Sequence, residues 1–327
     1  MPDSLPLSSL CLPGTHDTCA HYGWPVSQCQ DTSTPLPVQL MSGIRVIDIR
    51  LSLHDGHLLA YHGAYPQRTS FQAILRTLHD FLTSSHSSRE CVVVSIKQED
   101  FAFVHPQAFS KSVRQELEAS AGGMGMWYLD NRIPTLGEVR GKCVMFSRFG
   151  GDGAEWDGGL EGLGIHPTTW PDSAKEGFTY DIKNTLVRTH DWYSIPSFLS
   201  IPEKVELATG ILLPPVEEPP MPILSISYLS AASFPFAAPP IVAKGLGFPS
   251  VGFGFEGVNA RVGRWLLDKL DNGSQDRDSE KGADDGPRIR GWIFMDFYSE
   301  PLDGAVVPLL VECNFRGRGG ETGWVMC

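Results

Sequence analysis

Three short apolar runs each carry residues able to do acid-base chemistry. His16 and Asp17 follow Leu10-Cys-Leu-Pro-Gly-Thr15, Asp48 and Arg50 punctuate Gly43-Ile-Arg-Val-Ile-Asp48-Ile-Arg50-Leu51, and His62 ends Leu58-Leu-Ala-Tyr-His62-Gly63. An imidazole titrates near neutral pH, so one histidine can take a proton from a hydroxyl while the other gives one to a leaving oxygen. The guanidinium of Arg50 offers a fixed fork of donors to a phosphate. Singly, each of these residues reads as easily as a cap or a surface group. Placed together at the ends of strand-like runs, they form a kit for phosphodiester chemistry.

The elements that must hold them alternate in type. Phe71–Leu82 has apolar residues at helical spacing, Cys91–Lys97 is a continuously apolar strand, and Phe109–Leu117 reads as a helix. Strands are predicted at Lys142–Arg148, Thr185–Asp191, Pro222–Tyr228 and Gly291–Asp296, with helices over Ile195–Leu213, Val258–Leu270 and Ala305–Glu312. Repeated strand-then-helix order with about eight strands predicts a parallel sheet closed into one distorted or incomplete (β/α)8 TIM barrel, a single domain over residues 1–327. Lys97, Glu99, Arg148, Asp191 and Asp296 then stand at strand C-terminal ends, the rim on which such barrels build their sites.

Composition narrows the function class. The chain has 327 residues, 42% of them apolar, which is ample for a large core. A formal charge of −12 without a basic patch argues against nucleic acid as a partner. Cys91 and Cys143 sit in apolar runs and read as buried thiols, while Cys19 and Cys29 are the pair near enough to bridge. Met1-Pro-Asp-Ser-Leu-Pro6 lacks a secretory pattern and no run approaches the roughly 18 apolar residues that span a bilayer. The expectation is a cytoplasmic protein that meets any membrane from solution, as a monomer.

The ordered series Pro13-Gly-Thr-His16-Asp17, Asp48-Ile-Arg50, Tyr61-His62-Gly63, Ser95-Ile-Lys97-Gln-Glu99, Phe146-Ser-Arg148, Trp170-Pro-Asp172, His190-Asp191-Trp-Tyr193 and Phe294-Met-Asp296 resembles the bacterial-type phosphatidylinositol-specific phospholipase C family, from Leu10 to about Val311. The resemblance implies cleavage of phosphatidylinositol, in a membrane or micelle, to diacylglycerol and inositol 1,2-cyclic phosphate without a metal or other cofactor. It makes His16, oriented by Asp296, the base, and His62, supported by Asp17, the acid. It gives Arg50, held by Asp48, the phosphate charge. Lys97, Arg148, Trp170, Asp172, Asp191 and Tyr193 are assigned to the inositol pocket, with Glu99 orienting Lys97.

Other stretches carry weaker readings. Residues 271–286 are acidic and almost without apolar residues, which predicts a disordered surface insertion. Pro214–Pro222 is a stiff connection, and the Arg/Gly-rich segment after Phe315 has no counterpart in the resemblance. Gly252-Phe-Gly-Phe-Glu-Gly257 fits a dinucleotide fingerprint in letters only and reads as a flexible loop before a helix. His54 and His57 flank an Asp-Gly turn and read as exposed. Leu229–Phe248 is too proline-broken for a core helix and too apolar for an ordinary loop, so Phe234 and Phe236, with Trp24, are predicted membrane contacts. Two alternatives stand beside the phospholipase. A metal-dependent phosphodiesterase would use His16, Asp48, Glu99 and Asp296 as ligands, against which Arg50 and Lys97 repel a cation. A catalytically silent lipid-binding barrel would have no use for two histidines with carboxylate partners.

Overall fold

The computed structural model describes residues 1–327 except 101, 155, 157, 184, 218–220, 236, 249–251, 276–287, 302–305 and 319–327. Its strands are β1 (Cys11–Thr15), β2 (Val46–His54), β3 (His57–His62), β4 (Tyr65–Ser70), β5 (Val92–Gln98), β6 (Trp127–Tyr128), β7 (Cys143–Arg148), β8 (Phe178–Ile182), β9 (Thr185–His190), β10 (Ile223–Tyr228), β11 (Gly245–Phe248), β12 (Phe253–Glu256) and β13 (Gly291–Met295). The helices are α1 (Leu36–Met41), α2 (Phe71–Thr83), α3 (Pro106–Ala119), α4 (Leu136–Val139), α5 (Ile201–Gly210), α6 (Pro239–Lys244), α7 (Val258–Gln275) and α8 (Val306–Glu312).

The main sheet runs β6-β7-β5-β2-β1-β13-β10-β9-β8, parallel from β6 to β9 and antiparallel where β8 joins β9, with β3 and β4 added antiparallel beside β2. The strand order does not return on itself, so the curl is a distorted, incomplete (β/α)8 barrel. Period-two alternation builds its two cores. Leu12, Val46, Val93, Val144, Phe146, Ile226, Trp292 and Phe294 fill the interior. Their chain neighbours Ile47, Val94, Met145 and Ile293 belong to the second core, which also takes in the buried face of α2. Ser70 caps that helix by accepting from the Ala73 amide. Gly14 is required where β1 squeezes between its neighbours, because a Cβ there would meet Ile293 O at 2.7 Å and Val46 O at 2.8 Å.

Several expectations need correction. The helix predicted over Ile195–Leu213 starts only at Ile201, because Ser194 and Ile195 pair with Ala232 and Phe198–Ser200 forms one 3-10 turn. The stretch Leu229–Phe248 is not one loop: it holds α6 and β11. Gly252–Gly257 is largely β12, paired antiparallel with β11. Asp271–Gln275, assigned to the acidic insertion, are the last residues of α7; residues 276–286 lie outside the described residues, as does Phe236. Cys19 and Cys29 are both free thiols. Cys19 packs in the outer core, whereas Cys29 turns its sulfur toward His62. No described helix is long and apolar enough to cross a membrane.

Candidate active site

The inward-facing positions of each strand change from apolar to ionisable as the strand climbs. Val46 is followed by Asp48 and Arg50, Val93 by Ser95 and Lys97, Phe146 by Arg148, and Phe294 by Asp296. Register aligns these levels, with Asp48 opposite Ser95, Arg50 opposite Lys97, and Lys97 opposite Arg148. Asp48 and Arg50 are not at the end of their strand, because β2 continues to His54 before the Asp55-Gly56 turn. The antiparallel β3 brings the chain back down, so His62 arrives at the level of the rim.

His16 directly follows β1, and its Nδ1 lies 2.8 Å from Asp296 Oδ1. Arg50 Nη2 sits 2.6 Å from His16 Nε2. A guanidinium only donates, so Nε2 accepts and the ring proton is on Nδ1, aimed at Asp296. Asp17, at φ 43°, takes the left-handed turn that swings its carboxylate back between the two histidines. Its Oδ2 is 3.3 Å from His16 Nε2, 3.6 Å from His62 Nε2 and 3.1 Å from Arg50 Nε. Asp48 lies slightly farther from Arg50 Nε, at 3.5 Å, and accepts from Ser95 Oγ. Glu99, expected to orient Lys97, lies nearer Arg50: Nη1 donates to its Oε1 at 3.2 Å, against 3.9 Å from Lys97 Nζ. The guanidinium is thus ringed by carboxylates.

Burial and charge set the protonation states. Burial, then Arg50, holds the His16 imidazole well below its usual range. Burial, then Asp17, pushes Asp296 well up. Both directions describe a pair that resists separated charge, which leaves Nε2 of His16 unprotonated. Burial also raises Asp17 against the pull of Arg50. For Asp48 burial is outweighed by Arg50 and Arg148, and its carboxylate stays below the ordinary range. Arg50, then burial, brings Lys97 down to about 8.

Beside this cluster opens a cavity of about 760 Å³, lined by His16, Arg50, His62, Lys97, Arg148, Trp170, Asp172, Asp191, Tyr193 and Asp296 among others. Arg148 lies over the Trp170 ring at 3.9 Å and donates to Tyr228 Oη at 3.2 Å. Trp170 Nε1 donates to Asp191 Oδ2 at 2.9 Å, and the Tyr193 hydroxyl bonds Asp172. Sequence reasoning missed Tyr228, His166 and the placement of Cys29. Tyr228 carried a signal as the polar end of an apolar strand; the other two are brought in by long loops. Trp24 and Phe234 are each 75% exposed. Leu199, Leu246 and Phe253, unforeseen, are exposed as well, all in segments that follow C-terminal strand ends.

No family model matches the chain. It is 31% identical over 166 residues to the 1-phosphatidylinositol phosphodiesterase of Listeria monocytogenes, a match covering 45% of this chain and 46% of that protein. It is 26% identical over 182 residues to the enzyme of the same name from Staphylococcus aureus, covering 53% of this chain and 55% of the other. Among solved structures, a Staphylococcus aureus phosphatidylinositol-specific phospholipase C superposes with a TM-score of 0.69 at 20% identity, over 96% of this chain and 95% of that one. The Listeria monocytogenes phosphatidylinositol-specific phospholipase C gives 0.63 at 21%, over 96% of each. The chain shares its fold with bacterial phosphatidylinositol-specific phospholipases C, and about half of it is similar in sequence to bacterial 1-phosphatidylinositol phosphodiesterases. The sequence match to its curated relatives spans about half of their length, whereas the shared fold extends over nearly the whole chain.

Proposed function

We propose that this protein cleaves phosphatidylinositol to diacylglycerol and inositol 1,2-cyclic phosphate. The observation that carries the reading is the pair of imidazoles 6.5 Å apart by ring centroid, each beside a buried carboxylate, with Arg50 against the first. Nε2 of His16 takes the proton of the inositol 2-hydroxyl, and that oxygen attacks the adjacent phosphorus. His62, with Asp17 behind it, gives a proton to the departing diacylglycerol oxygen. Because the nucleophile belongs to the substrate, much of the acceleration is entropy already lost on binding. Arg50 meets the charge growing on phosphate oxygen. The carboxylates a hard divalent ion would need are those that already surround this guanidinium, which supports a metal-free step. Lys97, Arg148, Asp172, Asp191 and Tyr193 hold the inositol hydroxyls, and Trp170 braces Arg148 and Asp191.

The protein reaches its substrate as a peripheral visitor. At a charge of −12, attraction to anionic lipid is weak, and adsorption comes from burying Trp24, Phe234 and the other exposed apolar side chains of that rim. The test is turnover of phosphatidylinositol vesicles with and without EDTA, with the cyclic phosphate identified by phosphorus NMR. We expect unimpaired turnover in chelator and a loss of about 10² to 10⁴ in His16→Ala and in His62→Ala. Strong EDTA inhibition reversed by calcium, or near-normal turnover in either variant, would sink the mechanism.

A further inference from the structure

Cys29 has no part in that scheme, yet it lies inside the site. Its Sγ is 3.6 Å from His62 Nδ1, and Asp17 Oδ2 is 3.6 Å from Nε2 of the same ring. One ligand atom each from Asp17, Cys29 and His62 falls within 4.8 Å of the others, and a second such group, His16, Cys29 and Asp296, shares the sulfur. Asp17 Oδ2 is buried and, though ion-paired with Arg50 at 3.1 Å, accepts no hydrogen bond among the described residues. The backbone fixes the thiol in place. Cys29 N donates to Ala20 O at 2.9 Å, Phe297 N donates to Cys29 O at 2.8 Å, and the Gln30 amide next door bonds both His16 O and Met295 O.

We propose that Cys29, His62 and Asp17 form a binding site for one thiophilic divalent cation of the zinc class, and that filling it shuts the catalytic centre. Zinc bonds of about 2.3 Å to sulfur and about 2.0 Å to nitrogen, at a tetrahedral angle, set such ligand atoms about 3.5 Å apart. The two 3.6 Å contacts fall on opposite nitrogens of the His62 ring, and Nδ1 also lies 3.0 Å from Ser27 O, so an ion held through one nitrogen requires the three ligand atoms, now within 4.8 Å of one another, to draw together by side-chain rotation. Asp296, which groups with His16 around the same sulfur, can supply a fourth ligand. The chemistry selects against calcium and magnesium. Arg50 opposes any cation here, and only a thiolate bond, which hard ions do not form well, offsets that repulsion. On binding, the Cys29 S–H proton leaves to solvent and a sulfur–metal bond forms; nothing is oxidised or reduced. The same ion withdraws His62 from proton donation.

The test uses the full chain, with Zn²⁺ and Co²⁺ as probes. Wild type is expected to take up one Zn²⁺ in competition with a chromogenic chelator, and to show the thiolate-to-metal charge-transfer band when Co²⁺ replaces it. Both signals are expected to vanish in Cys29→Ser and Cys29→Ala proteins with native circular dichroism. His62→Ala, whose substitution leaves the thiol intact, should weaken uptake by about tenfold or more. The inhibition arm rests on the proposed phospholipase activity: Zn²⁺ should slow wild type, and Cys29→Ser should need about tenfold more of it, each rate taken relative to that protein's own metal-free rate. Uptake and band unchanged in both Cys29 variants, or no uptake by wild type, would overturn the site. If the protein does not cleave phosphatidylinositol, the uptake and spectral results still decide the site.

Discussion

Lys204 offers a direct measurement of what burying an unpaired amine does to this barrel. It lies on α5, fully buried, and its Nζ has no hydrogen-bond partner among the described residues. His190 is pushed down to about 3 by burial and then by Lys204, against a backbone hydrogen bond with Lys175. Burial moves the lysine from 10.5 to about 7, against the attraction of Asp191 and Asp296. The folded protein therefore binds fewer protons than the unfolded chain between those two values, and stability rises with pH across that window. Below it the charged amine lowers stability by about 5 kcal/mol, at about 1.4 kcal/mol for each pH unit of the shift. By about pH 10 the penalty has fallen to about 1 kcal/mol. Lys204→Met keeps the length of the side chain and removes the charge. Urea unfolding of both proteins at about pH 6, 8 and 10 should show the variant more stable, with the gap widest at the lowest pH. A variant less stable throughout, or a gap that does not change with pH, would mean that the amine is satisfied in the folded protein.

Three further outcomes follow from the site. Arg50→Lys should lose most of the phosphodiesterase rate, about 10²-fold or more, because a point ammonium cannot span Asp17, Asp48 and Glu99 while also offering two donors to phosphate; retention of the rate would remove the guanidinium from the mechanism. Since Arg50 and burial bring Lys97 down to about 8, its positive charge toward substrate is present below that pH and lost above it, so KM for phosphatidylinositol should climb through that range in wild type but stay flat in Lys97→Met. Replacing Trp24 and Phe234 together by Ser should weaken vesicle binding and bilayer turnover while hydrolysis of soluble inositol cyclic phosphate stays near normal; equal loss on both substrates would mark these side chains as structural.

Much of the ionisable rim was legible because it is written locally. A residue at i and another at i+2 on a strand share a face, so Asp48 with Arg50 and Phe294 with Asp296 announce their common direction without knowledge of the rest of the chain. The glycine-rich ribbon was not legible, since Gly245, Gly247 and Gly254 look like loop letters. In the structure they permit the close approach of β11 and β12: a Cβ on Gly254 would meet Leu246 O at 1.9 Å. The late start of α5 depends on Ala232 drawing Ser194 and Ile195 into pairing, a contact helical periodicity cannot foresee. Spacing alone pairs Cys29 with Cys19 as a bridge, whereas both are free thiols and the meeting of Cys29 with His62 arises only once β3 folds back.

The place of β1 in the sheet, flanked by β2 on one side and β13 on the other, sets an order in time. His16 can meet Asp296 only across 280 positions of chain. A ribosome delivering the polypeptide from its N-terminus exposes β1 long before Gly291–Met295 exists, so half of that strand's backbone groups wait unpaired through most of synthesis. The nascent chain therefore carries an open sheet edge and a histidine without its carboxylate until the last strand docks. Completion of that edge and the pairing of His16 with Asp296 are one event, so a chain that stops short of β13 leaves both undone.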